Sequence, residues 1–539
     1  MASKFGRQTF SFPKVLRNLC ALGVLLNGVA GYALESNSRT AEFRLNRARE
    51  IETHLDQMNR DPRAFLDKTP PKFDARTGLP LGPLPRRKPE VGSPEFGKFR
   101  KLFQETNRVH ALSSSERSRN NPFRLAQSFA GSDVRGQLST LQQIESAKLL
   151  EAEISESPWS SSYWPLYKGA LAQRYADVGF DGVHPEEYSA YYDYTHKPGR
   201  RFPEFLHGLM DSAPEMLTLS PAEKYDLIVG DDEGHLSENN WQQGASYADN
   251  GHVEEWMGLC HGWAPASYRE DRPIRSIQVL AADGHTKVTF FPTDIKGLSS
   301  LLWAKAQVPT RFIGSRCNER NPKRDEHGRI VSEECFDTDP GIWHLSIVNR
   351  LGRGGKSFVF DNTYDYEVWN QPVQSYHYTY FNPRTRKNAD SIEQAKVSVE
   401  SFPEDIFAKY RAPRKEGLTH IVGVAMDVVY VSETYPTQES TDSVDDDRLV
   451  SVRYMYDLEL NAKGEILGGE WYSNAHPDFL WTPEDDQRAE TFWDEQVSAD
   501  WGLGTAMPEE WRVAAKEGAS SSGLPLAKIV RQLIKWARD

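Results

Sequence analysis

The chain has 539 residues, 38% hydrophobic and 11% aromatic content, and a formal net charge of −13 at pH 7. That much apolar sequence can bury at least one large core, which excludes disorder throughout the chain. A general nucleic-acid binder is also excluded, because the surface of such a protein would be basic. The acidic balance favours solubility and says little about the fold.

Residues 1–33 are predicted to be a secretory signal peptide. The apolar run Leu19–Ala30 is shorter than the ~20 residues that cross a bilayer, and Gly31 to Ala33 form a small-x-small cleavage site. An uncleaved membrane anchor is the alternative. We expect a secreted, periplasmic or cell-envelope protein with no integral membrane span in the mature chain. The basic residues ahead of the apolar run are Lys4, Arg7, Lys14 and Arg17.

Residues 34–155 are predicted to be an N-terminal extension or a pro-region. Short helical stretches alternate there with Pro-rich and Ser-rich segments such as Pro83–Pro94 and Ser113–Pro122. Little of this segment could bury a core by itself. A pro-region that covers a reactive thiol and an extension without function both remain open. The composition becomes aromatic from Ser157, and Ser220 is the N-cap of a predicted helix.

Cys260 is the candidate nucleophile. Gly258 and Gly262 let backbone approach closely, while Trp256 and Trp263 are predicted to form walls that exclude water. The residues after the cysteine are predicted to open a helix, whose N-terminal dipole would lower the thiol pKa. A buried structural cysteine is the alternative interpretation.

The other two cysteines of the mature chain are predicted to form a disulfide. Cys317 and Cys335 flank a polar loop, and a bridge across it would stabilise the fold by about 3 kcal/mol. The odd count then leaves Cys260 unpaired, as a nucleophilic thiol requires. Two reduced, unrelated cysteines are the alternative.

Alternating apolar residues predict β structure after Cys260. Residues 274–281 and 286–291 are predicted to form a hairpin, followed by a helix over 294–304. Residues 419–432 and 449–460 are two further predicted strands. The tail, residues 486–539, ends in an amphipathic helix that either docks on the domain or binds a membrane surface or partner. Its apolar face contains Leu526, Ile529, Val530, Leu533 and Ile534.

A second hairpin is predicted to carry the catalytic acid–base pair. Its strands would be Ile342–Val348 and Ser357–Asp361, joined by a glycine-rich turn. That register places His344 opposite Asp361 with Cβ atoms about 5 Å apart, so that the carboxylate would orient the imidazole. Together with Cys260 they form the predicted triad. A satisfied structural histidine and a turn-forming aspartate are the alternative.

No metal site is predicted. The sequence contains no HExxH motif, paired CxxC motif or Gly-rich phosphate loop. The acidic segments Asp231–His235 and Asp442–Asp447 are interpreted as solvated loops. No cofactor is therefore assigned, and calcium dependence stays undecided.

Four stretches of the chain are distinctive: Gly258–Ala266, Pro158–Lys168, Phe360–Asp365 and the stretch that runs from Gly468–Trp471 to Pro477–Trp481. Together they resemble the transglutaminase elicitor family over about residues 155–485. The resemblance implies an α+β, papain-like, transglutaminase-type core over residues 156–485, in which the helix that carries the cysteine packs on an antiparallel sheet. It also implies the order Cys260, His344, Asp361. His261 stands where animal transglutaminases have a Trp in a related motif.

The predicted reaction transfers a protein glutamine acyl group to a lysine or other primary amine through a thioester on Cys260. The oxyanion would be stabilised by the backbone N–H of Cys260 and by Trp241, Gln242 or Gln243. A cysteine protease or glutamine deamidase with the same triad is the second hypothesis, since only the acceptor differs. A non-catalytic surface protein is the third.

Overall fold

The protein combines α-helices with one large antiparallel sheet. The computed structural model describes residues 50–58, 60–66, 68–81, 122–202, 204, 216–248, 252–314, 321–326, 328, 330, 332, 338–363, 367–401 and 414–539. The predicted signal peptide (1–33) and the predicted disulfide between Cys317 and Cys335 lie outside these residues. Both stay predictions.

Eleven strands of the described chain belong to one sheet. Its central strands β7, β10 and β11 have 13 residues each, and the order along the sheet is β1-β11-β10-β7-β6-β13-β5. All of its pairings are antiparallel, and β3 and β4 form a separate hairpin. In chain order the strands are β1 Lys72–Asp74, β2 Glu151–Glu153, β3 Ile277–Leu280, β4 Lys287–Phe290, β5 Thr310–Gly314, β6 Val359–Asp361, β7 Asn370–Asn382, β8 Lys387–Ala389, β9 Lys396–Ser398, β10 His420–Ser432, β11 Arg448–Leu460, β12 Ile466–Trp471 and β13 Phe479–Pro483.

The helices are short to medium in length. Within the described ranges, none is long and apolar enough to cross a membrane. They are α1 Pro62–Leu66, α2 Pro122–Ala130, α3 Leu141–Ser146, α4 Val178–Asp181, α5 Tyr188–His196, α6 Pro221–Val229, α7 His235–Tyr247, α8 Cys260–Arg269, α9 Pro292–Lys305, α10 Pro340–Ile347, α11 Ile392–Ala395, α12 Glu509–Ser522 and α13 Ala527–Arg538.

Two large hydrophobic clusters organise the domain. The helical core contains Cys260, and it packs residues of α6 to α9, α12 and α13 around a group of tryptophans. The sheet core packs α2 and α10 against the aromatic side chains of β7, β10 and β11. β-branched and aromatic residues dominate those strands, which suits a pleated and buried surface. The candidate nucleophile and His344 are thus associated with different clusters.

Several local predictions are confirmed. The predicted first hairpin is β3–β4, and the predicted helix after it is α9. Ser220 caps α6 through a reciprocal capping box with Glu223. The two predicted downstream strands are β10 and β11, which pair along their whole length. The apolar face of α13 is buried in the helical core, as the docking interpretation of the tail expects.

The predicted second hairpin is wrong. Residues 340–347 form helix α10, and Val348–Arg353 continue as a π-helix instead of a strand and turn. β6 pairs with β7 and β13. Asp339 caps α10 and Pro340 occupies its first turn, which is a helix-start signal. All eight residues of α10 are buried, so the segment has no polar face and cannot be told from a buried strand by periodicity.

Parts of the predicted N-terminal extension contribute to the main sheet. β1 pairs with β11, and β2 pairs with β7. α2 packs against α10 and contributes Ala126 and Phe129 to the sheet core. Removal of the whole segment 34–155 would therefore expose core residues of the sheet.

Candidate active site around Cys260

Cys260 is the first residue of helix α8, as the sequence predicts. Its side chain is 5% exposed and unpaired, and it is the one cysteine among the described residues. The backbone N–H of Leu259 donates to the carbonyl oxygen of Tyr163 at 2.6 Å and fixes the segment that enters the helix. The thiol therefore lies where the N–H groups of the first helical turn are directed.

Two glycines let the nucleophile segment pack closely, which confirms their predicted role. A Cβ atom on Gly258 would lie 2.4 Å from the carbonyl oxygen of Tyr163. A Cβ atom on Gly262 would lie 2.1 Å from the carbonyl oxygen of Ser300 on α9. Any side chain at either position would displace the helix that carries Cys260.

The sulfur of Cys260 contacts β7 and the residues just before it. The side-chain Nδ2 of Asn370 donates to Sγ at 3.5 Å, and Sγ lies 3.8 Å from the carbonyl oxygen of Val368. The indole Nε1 of Trp481 in turn donates to Oδ1 of Asn370 at 2.8 Å. A tryptophan on β13 thus orients the amide that contacts the thiol.

The surroundings of Cys260 favour the neutral thiol in this arrangement. Burial raises the pKa of Cys260 to about 11, although N–H groups of Asn370 act in the opposite direction. The negative charges of Glu433 and Asp361 raise the pKa further. Attack by a thiolate would therefore require a proton acceptor or a change in solvation.

Asp361 and Glu433 are the carboxylates whose charges act on Cys260. Asp361 faces Asn370 across the β6–β7 pair and is fully buried. Its Oδ1 accepts from the hydroxyl of Thr363 at 2.7 Å and from the backbone N–H of Trp369 at 3.0 Å. Glu433 is half-buried and accepts from the side-chain amide of Gln371 at 2.6 Å. Two acidic groups are thus available near the thiol.

His344 lies far from this site. It is fully buried on α10, with its ring centroid 4.8 Å from that of Tyr378. Cys260 contacts Asn370, which is eight residues from Tyr378 along β7, a separation on the order of 25 Å at about 3.3 Å per residue. Burial lowers the pKa of His344 to about 3. The predicted pairing of His344 with Asp361 is therefore not observed, because residues 340–347 are helical.

The three predicted oxyanion donors lie on α7. Trp241 is buried against Tyr188 and packs over Gly169. Gln242 is exposed and Gln243 is half-buried. Among the described residues, the hydrogen bonds of Sγ are those to Asn370 and Val368. The oxyanion role of Trp241, Gln242 or Gln243 stays a prediction.

The two predicted aromatic walls flank the nucleophile segment in different ways. Trp263 is fully buried on α8 and donates its indole N–H to the carbonyl oxygen of Trp159 at 3.0 Å. Trp256 is buried and donates to the carboxylate of Glu254. Both belong to the helical core together with Cys260. Their role in excluding water from a reaction stays a prediction.

Asn370 and Trp481 are site residues that no sequence motif had indicated. Asn370 follows Trp369 and precedes Gln371 and Pro372, so a polar pair interrupts an apolar strand start. This polar pair is the signal for Asn370 that the sequence contains, but it does not indicate that Asn370 contacts Cys260. Trp481 does lie in one of the segments that carry the family resemblance.

The acidic loop Asp442–Asp447 differs from the expected solvated edge. The guanidinium of Arg272 binds Asp442 at 2.7 Å and Asp447 at 2.6 Å, and Lys296 also pairs with Asp442. These ion pairs join the acidic loop to Arg272 and to helix α9, which carries Lys296. Across the described parts of the chain, no group of three or more His, Cys, Asp or Glu residues is arranged to hold a metal ion.

Comparison with known proteins assigns the family. The model of the transglutaminase elicitor family matches residues 125–498, which is more than half of the chain. The chain belongs to the transglutaminase elicitor family. The family resemblance stated from the sequence is thus confirmed, and the matched range contains Cys260, Asp361, Asn370 and Trp481.

One solved structure is similar to this family member. It is the crystal structure of the GP42 transglutaminase from Phytophthora sojae, with 21% sequence identity and a TM-score of 0.48. The match covers 77% of this chain and 97% of that chain. No curated protein matches the sequence.

Proposed function

We propose that this transglutaminase elicitor protein is a secreted thiol acyltransferase that moves the acyl group of a protein glutamine to a primary amine such as lysine. The observation that carries the proposal is the thiol of Cys260 at the start of α8, in contact with the Asn370 amide. Thiols at helix N-termini beside hydrogen-bond donors are typical of nucleophilic cysteines. The family model, which includes this region, supports the same chemistry.

The proposed reaction has two halves. Sγ of Cys260 bonds to the carboxamide carbon of glutamine, the carbon–nitrogen bond breaks, and nitrogen leaves as ammonia with the thiol proton. The amine then attacks the thioester, a new carbon–nitrogen bond forms, the carbon–sulfur bond breaks, and the released sulfur regains a proton from the amine. Asp361 and Glu433 are the proposed proton carriers, because their charges act on the thiol. His344 has no part in this proposal because of its distance from Cys260.

The thiol of Cys260 must become accessible before the reaction can begin. A sulfur that is 5% exposed cannot receive a glutamine side chain of another protein without movement of its cover. Trp369 and Tyr163, whose rings lie 5.3 Å apart, are part of the buried and partly buried surroundings of Cys260 in the helical core. Substrate binding would therefore have to move these aromatic side chains and expose the site. Limited proteolysis tests separately whether the predicted pro-region controls access to it.

The test measures incorporation of a fluorescent primary amine into a glutamine-rich protein by the purified chain. It compares the wild type with Cys260→Ala, with and without calcium, before and after limited proteolysis. The double variant Cys317→Ala/Cys335→Ala is the matched control, because it removes the other two cysteines of the mature chain together, whether or not they form the predicted disulfide. Labelling that is lost in Cys260→Ala and kept in the double variant is the expected result.

Other outcomes assign other functions. Ammonia release without amine incorporation would identify a glutamine deamidase, and new chain termini would identify a protease. No Cys260-dependent product under any of these conditions would overturn the enzymatic proposal and leave a non-catalytic surface protein.

A further inference from the structure

We propose that Asn370 is the side-chain donor of the oxyanion hole and that Trp481 is the positioning residue that directs its amide to the reacting carbon on Cys260. This inference rests on the proposed function and adds the group that would stabilise the tetrahedral intermediate. It differs from the assignment of Trp241, Gln242 or Gln243, because the hydrogen bonds of Sγ in the described part of the chain are those to Asn370 and Val368.

The orientation of the Asn370 amide follows from its two partners. An asparagine side chain has one acceptor oxygen and one donor nitrogen, whereas the indole nitrogen of Trp481 can only donate. The oxygen of Asn370 must therefore face Trp481, at 2.8 Å, and this leaves Nδ2 directed to the sulfur of Cys260. With the hydrogen bonds assigned in this way, Nδ2 of Asn370, and not Oδ1, is the atom that would contact the substrate.

The position of the amide suits a developing negative charge. During attack, the carbonyl carbon bonds to Sγ, and its oxygen becomes an oxyanion one bond further away. Nδ2 of Asn370 already lies 3.5 Å from Sγ, so the amide can reach that oxygen without leaving its strand. The backbone N–H of Cys260, in the first turn of α8, would be the second donor.

The side-chain amide of Gln371, the next residue on β7, already has a hydrogen-bond partner. Gln371 donates its side-chain N–H to Glu433 at 2.6 Å, so it holds a carboxylate. Of Asn370 and Gln371, Asn370 is the residue that contacts the nucleophile.

Both members of the proposed pair are on paired strands. Asn370 faces Asp361 in the β6–β7 pair, and Trp481 faces Val359 in the β6–β13 pair. β6 therefore holds the two residues at a fixed spacing. Groups on strands keep a catalytic geometry better than groups on loops. Both are also mostly buried, where a hydrogen bond to a charge is stronger than in water.

The first test measures acyl transfer. Loss of one oxyanion donor lowers kcat about 100-fold or more, so Asn370→Ala should do so with a small change in KM. Trp481→Phe keeps an aromatic ring but loses the hydrogen bond to Oδ1 of Asn370, and should lower kcat about three- to tenfold. Asn382→Ala is the matched control. It lies at the other end of β7, where its amide donates to the carbonyl oxygen of Gln394 at 2.8 Å.

The second test does not depend on turnover. The rate of Cys260 alkylation by iodoacetamide is measured against pH by peptide mass spectrometry, with thermal melting as the check of folding. Asn370→Asp is nearly isosteric and places a carboxylate beside the thiol. Its alkylation profile should shift to higher pH, whereas Asn382→Asp should leave the profile unchanged. A merely structural role of Asn370 would lower the melting temperature and leave the profile in place.

The outcomes separate the two proposals. If the wild type transfers acyl groups and a folded Asn370→Ala keeps kcat within threefold, the oxyanion role is overturned and the enzymatic proposal stands. If Asn370→Ala does not fold, Trp481→Phe decides: wild-type kcat with an unchanged alkylation profile overturns the inference. If the wild type transfers no acyl group, both the proposed acyl transfer and the oxyanion role of Asn370 are overturned. The alkylation profile of Asn370→Asp then still shows whether the side chain at position 370 contacts the thiol in solution.

Discussion

Nδ1 of His344 lies 2.9 Å from the hydroxyl oxygen of Tyr456, between helix α10 and strand β11. The ring also meets Tyr378 edge to face, and the whole side chain is buried. A histidine in such surroundings fixes the packing of α10 on the aromatic face of the sheet. These contacts give His344 a role in the packing of the protein, at a distance from Cys260.

Substitution of His344 should therefore affect stability more than chemistry. His344→Phe keeps a ring but removes the hydrogen bond to Tyr456, and should lower the free energy of unfolding by about 1–3 kcal/mol. The alkylation rate of Cys260 in the folded variant should stay within about twofold, because the two side chains do not touch. His285→Phe is the control, since that ring is 77% exposed in a turn. A 100-fold loss of Cys260 reactivity in folded His344→Phe would instead restore the triad predicted from the sequence.

The same histidine predicts a loss of stability in acid. Its pKa is lowered to about 3 by burial, whereas in the unfolded chain it is near 6.5. The unfolded state thus binds the extra proton between these values, so stability is full above pH 6.5 and falls as the pH drops toward 3. At pH 5 the loss is about 2 kcal/mol.

Urea unfolding at pH 7.5 and pH 5.0 checks this effect. The loss of stability between the two pH values should be about 2 kcal/mol smaller in His344→Phe than in the wild type. Part of the acid sensitivity should remain, because burial also lowers the pKa of His54 to about 3. An identical acid dependence in wild type and variant would contradict the prediction.

Local signals in the sequence were sufficient for much of the fold. The hairpin β3–β4 has a turn with Asp283 and Gly284, and α6 has a complete capping box. Helix α10 could not be recognised in the same way, because all eight of its residues are buried. A helix without a polar face loses the 3.6-residue period on which its identification depends. That single misassignment produced the wrong pairing of His344 with Asp361.

The nucleophile of the candidate site could be predicted from the sequence, but the residues that contact it could not. Cys260 has a local signature of glycines and tryptophans, and its placement at the start of a helix is confirmed. Asn370 contacts it from 110 residues away, and Trp481 reaches Asn370 across another 111. Such contacts depend on the pairing of β6 with β7 and β13, which no short-range pattern specifies.

Gly262 should be intolerant of even the smallest side chain. In Gly262→Ala the new Cβ atom would lie 2.1 Å from the carbonyl oxygen of Ser300, which forces α8 away from α9. We expect a loss of about 1–3 kcal/mol in the free energy of unfolding and faster alkylation of Cys260 as its cover loosens. Gly502→Ala is the control, because its nearest neighbour, Oγ1 of Thr505, would be 3.7 Å away. Equal stability of the two variants would show that α8 and α9 are not packed this closely.

The thiol of Cys260 should be unusually slow to react in the folded protein. With a pKa of about 11, roughly 0.1% of it is thiolate at pH 8, against about a quarter for an unfolded cysteine with a pKa near 8.5. Alkylation by iodoacetamide at pH 8 should therefore be at least about 100-fold slower in the native chain than in urea, and should rise until about pH 11. Because the pKa is raised by folding, this group favours the folded state below the unfolded pKa, and that contribution is lost as the pH rises toward 11. Site-resolved mass spectrometry follows Cys260 separately from Cys317 and Cys335. A native midpoint below 8.5 would mean that the sulfur is solvated or paired with a cation in solution, and would remove the need for an uncovering step before catalysis.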